Sequence, residues 1–89
     1  MPTVLRIGKF RFYFFSNERE EPAHIHVKAA EDEAKFWLDP VCLADNDGFS
    51  AHELQKIFDL VKAHCDYLQR RYKEVHGLRT RHHRKKGER

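Results

Sequence analysis

The sequence contains no long hydrophobic run, and it has only two cysteines among its 89 residues. A membrane-spanning helix needs about 18 consecutive apolar residues, so the composition excludes a helical membrane protein. The N-terminus also lacks the basic and then apolar layout of a signal peptide. Cys42 and Cys65 stand apart, without C-x-x-C spacing or finger-like histidines, which argues against a disulfide scaffold and a zinc module. We therefore expect a cytoplasmic protein without membrane association.

The length and the charge distribution of the chain indicate one small domain followed by a basic tail. Since a domain usually takes roughly 100–200 residues, a chain of 89 residues leaves room for one. The formal net charge of +3 divides unevenly, because residues 79–89 carry +5 and residues 1–78 carry −2. Residues 79–89 contain no apolar side chain, so we expect them to be disordered unless a polyanion orders them. The sequence therefore predicts a single folded domain over residues 1–78.

The first half of the chain alternates apolar and polar residues, as β-hairpins do. Gly8-Lys9 suits a two-residue hairpin turn, and Glu31-Asp32 predicts a second turn. Pro40 interrupts the pattern and leaves a short strand for the edge of the sheet. The predicted strands span residues 4–7, 10–16, 23–30, 33–38 and 41–44. Two hairpins and an edge strand predict an antiparallel meander of four or five strands.

From Ser50 onward the apolar residues recur every three or four positions, which is the period of an amphipathic helix. Ser50 and Glu53 form the S-x-x-E capping box at its start, and Gly77 is placed to end it. A helix of about 26 residues is roughly 39 Å long, which exceeds the span of a small sheet. We therefore expect its last turns to project or to dock on another chain. The predicted fold class is α+β, with the meander packed on one long C-terminal helix.

Successive strand residues alternate between the two faces of a sheet, so the predicted turns assign each strand side chain to a face. The face toward the helix is apolar and comprises Leu5, Ile7, Phe10, Phe12, Phe14, Ile25, Val27, Phe36 and Leu38. The opposite face is polar and aromatic and comprises Arg6, Arg11, Tyr13, His24, His26, Lys28, Lys35 and Trp37. The apolar face predicts the core, and the opposite face contains the candidate functional residues.

Like charges are predicted to lie opposite one another on this polar face. In the expected register Lys28 lies opposite Lys35. Arg6 likewise lies opposite Arg11, and such pairs cost stability unless an anion lies between them. A nucleic acid supplies that anion, and its bases can stack on the aromatic side chains of the same face. A solvated outer face without a ligand is the simpler alternative.

His24 and His26 are separated by one residue on a predicted strand, so both imidazoles point to the same side of the sheet. They can act as acid and base in metal-independent cleavage of a phosphodiester, because imidazoles titrate near neutral pH. They can instead supply two nitrogens to a metal site, completed by a carboxylate from Glu21, Glu31 or Asp39. The third alternative is structural, with ring N–H groups tying down the glutamate-rich loop before the strand. The sequence leaves these alternatives open, and we assign no metal or other cofactor.

Five short segments of the sequence together resemble those of a known protein family. They are M-P-T-V-L-R at the start, R-F-Y-F-F-S-N-E from Arg11, E-P-A-H-I-H-V from Glu21, A-K-F-W-L from Ala34 and G-F-S from Gly48. As a set they resemble the small bacterial family known as domain of unknown function 4160, with P-x-H-I-H-V as the most specific element. The resemblance covers residues 1 to about 76. It implies a neighbouring small protein as partner, in a toxin–antitoxin-like arrangement, and it defines no catalytic residue.

These observations support two hypotheses of different classes. In the first, the protein is a nucleic-acid-directed component of a toxin–antitoxin-like pair, in its sharpest form a metal-independent endoribonuclease. The site residues are then His24 and His26 as acid and base, Arg11, Lys28 and Lys35 for the phosphate, and Tyr13 and Trp37 for bases. In the second, the protein is non-enzymatic, an antitoxin or assembly partner whose open sheet edge or long helix docks on a neighbouring protein. A homodimer is compatible with both, and the sequence does not decide whether the protein is an enzyme.

Overall fold

The structure is a computed structural model, and it describes residues 3–15 and 21–77. Five antiparallel strands form one sheet in the order β1-β2-β3-β4-β5, and the helices follow. The strands are β1 (Thr3–Ile7), β2 (Phe10–Tyr13), β3 (His24–Ala29), β4 (Asp32–Leu38) and β5 (Val41–Asp47). The predicted α+β class and the antiparallel meander are confirmed, and the predicted basic tail over residues 79–89 lies outside the described residues.

The first hairpin, β1–β2, has the predicted turn and nearly the predicted pairing. Arg6 lies opposite Arg11, as a two-residue turn with a glycine at positive φ requires. The pairing shifts at Val4, so Tyr13 lies opposite Thr3, whereas an unbroken two-residue hairpin pairs Tyr13 with Val4. Such a bulge adds one unpaired residue and bends the edge strand. Val4 is only 7% exposed here, so the extra residue adds to the core.

The second hairpin, β3–β4, turns one residue earlier than predicted, at Ala30 and Glu31. Ala30 adopts a positive φ of 54°, which the sequence does not signal because alanine is not a usual residue for that conformation. The pairing therefore differs from the prediction by two residues, and Lys28 lies opposite Glu33 instead of Lys35. Opposite charges replace the predicted like charges, which favours the observed register. A shift of two residues leaves every side chain on its predicted face.

Two strands differ in length from the prediction. β2 ends at Tyr13, short of the predicted residue 16, which lies outside the described residues. β5 continues to Asp47, whereas the sequence predicted a loop there because Asp and Asn are depleted in strands. A bulge at Ala44 interrupts its pairing with β4, which then resumes. An edge strand tolerates these polar residues, because charged side chains are common at sheet edges.

Ser50 begins the helical part of the chain with the predicted capping box. Its hydroxyl accepts the backbone N–H of Glu53 at 3.1 Å, and the Glu53 carboxylate accepts the N–H of Ser50 at 3.5 Å. The same carboxylate pairs with Lys9 Nζ at 2.6 Å, and this bond lowers the pKa of Glu53. The cap therefore joins the start of the helix to the turn of the first hairpin.

The predicted single long helix is wrong, because the helix is interrupted at His64, which has φ −109° and ψ 17°. The helical elements are α1 (Ala51–Ala63), α2 (Cys65–Tyr72) and a π-helical turn (Lys73–Gly77). After the interruption, Cys65 Sγ and Gln69 Nε2 donate to the carbonyl of Leu38, at 3.2 and 2.9 Å. Desolvation raises the pKa of the Cys65 thiol, which keeps its donor protonated. The docking of α2 on the end of β4 is a tertiary contact. The spacing of apolar residues is similar for one long helix and for two shorter ones, so it does not predict the break at His64.

The core lies between the inner face of the sheet and the helices. Of the predicted core residues, Leu5 and Ile7 are half-buried, and the other seven are buried. α1 contributes Ile57 and Val61 and α2 contributes Leu68, and all three have 0% of their surface exposed. Within the described residues, no helix is both long enough and apolar enough to cross a membrane.

Candidate binding face

The sheet face opposite the apolar core, here called the open face, carries its side chains in rows that run across the strands. Direct partners on adjacent strands share a face, so the register defines each row. The charged row comprises Arg6, Arg11, Lys28, Glu33 and Asp47. The central row comprises Thr3, Tyr13, His26, Lys35 and Asp45, and the end row comprises His24, Trp37 and Cys42. All the residues predicted for the outer face lie in these rows.

The charged row is divided by strand, with cations on β1, β2 and β3 and carboxylates on β4 and β5. Adjacent strands lie about 4.8 Å apart, so the backbone positions of Arg6, Arg11 and Lys28 span about 10 Å. Lys28 Nζ pairs with Glu33 at 3.4 Å, while Arg11 Nε donates to Thr3 Oγ1 at 2.8 Å. The open face is therefore basic on the β1 side and acidic on the β5 side.

The open face has an acidic side, formed by Glu33, Asp45 and Asp47, which was not predicted from the sequence. These carboxylates border a cavity of about 190 Å³ together with His26 and Lys35. Glu33 lies opposite Lys28 only in the observed register, and the two aspartates lie beyond the predicted end of the edge strand at residue 44. Lys35, which was predicted to hold a phosphate, therefore lies among carboxylates that repel an anion.

His26 lies among aromatic rings in the central row. Its ring stacks on Tyr13, with centroids 5.4 Å apart and planes at 22°, and meets Phe15 edge to face at 4.6 Å. Arg11 lies over Tyr13, 5.0 Å from the ring centroid. Tyr13 is only 2% exposed, so little of its ring is accessible to a base. His26 and Phe15 are half-buried and present their rings on the open face.

His24, by contrast, is 1% exposed. Its Nδ1 lies 2.8 Å from the carbonyl oxygen of Pro22, and Nδ1 carries the proton because a carbonyl oxygen only accepts. This hydrogen bond links His24 to the segment before β3, as expected if the role of His24 is structural. The ring meets His26 at 5.2 Å and Trp37 at 5.9 Å, both edge to face. The two imidazoles share a face, as predicted, but of the two only His26 presents surface to a ligand.

The end of the helical part encloses His24. Tyr72, at the end of α2, meets the His24 ring at 5.8 Å and donates its hydroxyl to the carbonyl of Glu21 at 3.2 Å. The Glu21 carboxylate in turn pairs with Lys35. His76 packs on Tyr72 at 4.4 Å and is 4% exposed. His76 lies in the π-helical turn, four residues after Tyr72.

The carboxylates considered as metal ligands do not assemble with the histidine pair. Glu31 lies in the β3–β4 turn, at the far end of β3 from His24. Asp39 lies in the β4–β5 turn, and Glu21 pairs with Lys35. Among the described residues, no group of three or more His, Cys, Asp and Glu side chains is placed to hold a metal ion.

Comparison with known proteins identifies one family. The family model described as Domain of unknown function (DUF4160) matches residues 10–73, which is most of the chain and extends from β2 through α2. No curated protein and no solved structure matches the chain. The family description assigns no activity, so the function has to be argued from the open face itself.

Proposed function

Since this chain belongs to the DUF4160 family, whose description leaves its activity open, we propose a function from the geometry of the open face. The protein binds single-stranded nucleic acid through the cations of the charged row, as one component of a toxin–antitoxin-like pair. The pairing with a second small protein is the part that the family resemblance implies. The binding of nucleic acid is the part that the described residues support.

The observation that carries the proposal is the alignment of Arg6, Arg11 and Lys28 on adjacent strands. Like charges directly opposite one another destabilise a sheet, and in this row only Lys28 has a carboxylate opposite it. A phosphate between these cations offsets their repulsion. A nucleic-acid backbone along the row also releases several counterions at once, which favours binding of a polyanion. The charged row therefore suits a polyanion better than a neutral small molecule.

Aromatic rings that are not fully buried lie in the other two rows of the same face, which favours a single strand over a duplex. His26, Phe15 and Trp37 are half-buried, and each has a flat ring on which an unpaired base can stack. Proteins that recognise RNA commonly stack splayed, single-stranded bases on such rings. In this proposal the cations contact phosphates, the accessible rings contact bases, and Tyr13 supports the ring of His26.

Cleavage of the bound strand by a histidine acid and a histidine base requires that both imidazoles are accessible to the RNA. His24 is 1% exposed and its Nδ1 donates to Pro22. Of the pair, His26 is the imidazole that can contact a ligand in this conformation, and one imidazole does not provide both an acid and a base. We therefore propose binding as the function and treat cleavage as a separate outcome of the same experiment.

Binding is tested with the full chain and a fluorescently labelled single-stranded RNA, by anisotropy at several salt concentrations. The variant Arg6→Gln/Lys28→Gln removes two cations of the charged row. The matched control Lys56→Gln/Lys62→Gln removes two exposed lysines of α1. We expect the first variant to bind more weakly, with the slope of log affinity against log salt reduced by about 1.4 for two lost phosphate contacts. The control is expected to keep the affinity and the slope of the unmodified chain.

Equal losses in both variants would indicate general attraction to positive charge and would reject the open face as the binding site. A third variant, Arg84→Gln/Lys85→Gln/Lys86→Gln, measures what the basic tail contributes, and binding that depends on the tail alone would also reject the proposal. Cleavage is read on the same RNA in excess EDTA. Products that disappear in His26→Gln, with both proteins at concentrations that saturate the RNA, would add an endoribonuclease activity to binding.

A further inference from the structure

Strand β5 forms one edge of the sheet, because the strand order ends there and β4 is its neighbour within the described residues. The outer side of an edge strand presents backbone N–H and C=O groups that can pair with one more strand. Proteins use such edges to bind extended segments of partner proteins, with the backbone providing affinity and alternate side chains providing specificity. The two surfaces that border β5 define the chemistry of such a segment.

On the inner side of the sheet, an apolar groove of about 310 Å³ lies between β5 and α1. Its lining comprises Phe36, Leu43, Ala51, Leu54, Gln55 and Phe58. Leu43 belongs to β5 and is 45% exposed, the one large hydrophobic side chain of the described residues that is exposed. An apolar side chain from an added strand can enter this groove and remove Leu43 from water, which stabilises the complex.

On the open face, β5 presents two exposed aspartates, Asp45 and Asp47. Because of the bulge at Ala44, Leu43 and Asp45 lie opposite consecutive residues of β4. Leu43 therefore faces the inner side of the sheet, and Asp45 faces the open face. In a strand added beside β5, one side chain therefore points into the groove, and the side chain of the next residue lies beside an aspartate. Cations directly across from aspartates stabilise strand pairing.

We propose that the outer edge of β5 binds an extended segment of a partner protein in which apolar residues alternate with Lys or Arg. The apolar side chains enter the groove beside Leu43, and the basic side chains pair with Asp45 and Asp47. The backbone of the segment extends the sheet to a sixth strand next to the five described.

Charge distinguishes this partner from a second copy of the chain. Antiparallel pairing of two β5 strands brings the aspartates of both copies together, and like charges across strands destabilise the pair. Acidic residues at an edge are in general a protection against such self-pairing. The same aspartates attract a basic segment, so the edge selects its occupant by charge.

This proposal does not depend on nucleic-acid binding, because it uses the acidic side of the open face and the inner groove rather than the cations of β1 to β3. The two can therefore fail separately. The uncharged β5 variant Leu43→Ser is expected to bind RNA like the unmodified chain, and the variant Arg6→Gln/Lys28→Gln is expected to bind the peptide like the unmodified chain.

The probe is a synthetic peptide of about eight residues, the length of a typical strand, in which Leu and Lys alternate. Two control peptides have the same composition in blocks, or Glu in place of Lys. Binding to the full chain is measured by calorimetry, and the contact site is mapped by backbone amide NMR. We expect the alternating peptide to bind, with the largest shifts within Val41–Asp47 and at the groove-lining part of α1.

Two β5 variants and one control variant decide the result. Leu43→Ser and Asp45→Asn/Asp47→Asn are each expected to weaken binding at least fivefold. The control Glu31→Gln/Asp66→Asn removes two exposed carboxylates away from the groove and from β5, and it is expected to leave binding unchanged. All of these side chains are exposed, so the variants are expected to fold. Absence of binding, equal binding of the block peptide, shifts centred on β1, or concentration-dependent self-association through β5 would each overturn the proposal.

Discussion

His24 and His26 are the same residue type on the same strand and face, yet they differ in what they contact. His24 is 1% exposed and donates to Pro22, whereas His26 is half-buried beside Tyr13. The sequence predicted the shared face from the alternation of strand residues. It did not predict the burial of His24, because the covering group is Tyr72, which lies far away along the chain.

The difference predicts unequal effects on stability when each imidazole is removed. His24→Ala leaves the Pro22 carbonyl without its donor and creates a cavity, so we expect a loss of about 2–4 kcal/mol in the free energy of unfolding. His26→Ala removes ring contacts, among them those with Phe15 and Tyr13, at a half-buried position, so the expected loss is smaller, about 1 kcal/mol. Urea unfolding of the two variants measures both values. Equal losses would contradict the structural role assigned to His24.

At the scale of elements, the ends of α1 show what local sequence specifies and what it does not. The start follows the capping box of Ser50 and Glu53, which needs residues only three positions apart. The end at His64 follows from the docking of α2 on Leu38, a residue of a distant strand. A local signal therefore identified the first boundary, and a tertiary contact determined the second.

The cap predicts a measurable contribution from one hydroxyl. Ser50→Ala removes the acceptor for the backbone N–H of Glu53, so we expect the free energy of unfolding to fall by about 1 kcal/mol. Ser50→Thr keeps a hydroxyl at the same position and serves as the control, with a smaller expected loss. Thermal unfolding at one pH measures both. A Ser50→Ala variant as stable as the unmodified chain would show that α1 is held by packing alone.

At the scale of the whole molecule, one hydrophobic core supports an open face with two different halves. The basic half lies on β1, β2 and β3, and the acidic half lies on β4 and β5 next to the apolar groove. The proposed nucleic acid and the proposed partner segment therefore use different charged groups of the open face. The two sites adjoin at the cavity that His26 shares with Asp45 and Asp47.

The separation between core and binding groove predicts that two aliphatic side chains respond differently to truncation. Ile57 is fully buried between α1 and the sheet, so Ile57→Ala is expected to cost about 2–5 kcal/mol of unfolding free energy. Leu43 is 45% exposed at the edge, so Leu43→Ala is expected to change stability by no more than about 0.5 kcal/mol. Denaturant unfolding compares them. A large loss in Leu43→Ala would show that the groove belongs to the core rather than to a binding surface.

The sequence by itself determined the α+β class, the antiparallel meander, the capping box and the face on which each predicted site residue lies. Strand alternation and helix capping depend on neighbours within a few residues, so these features can be read locally. The prediction of Arg6 opposite Arg11 succeeded for the same reason, because a glycine turn fixes that register.

Only the tertiary structure decided the register of β4, the length of β5, the interruption at His64 and the burial of His24. An alternating pattern looks the same after a shift of two residues, so it placed Lys28 on the right face but opposite the wrong partner. Strand formation by Asp45 and Asp47 depends on β4 beside them, and burial depends on groups that are distant in sequence. These interactions are long-range, and no local period records them.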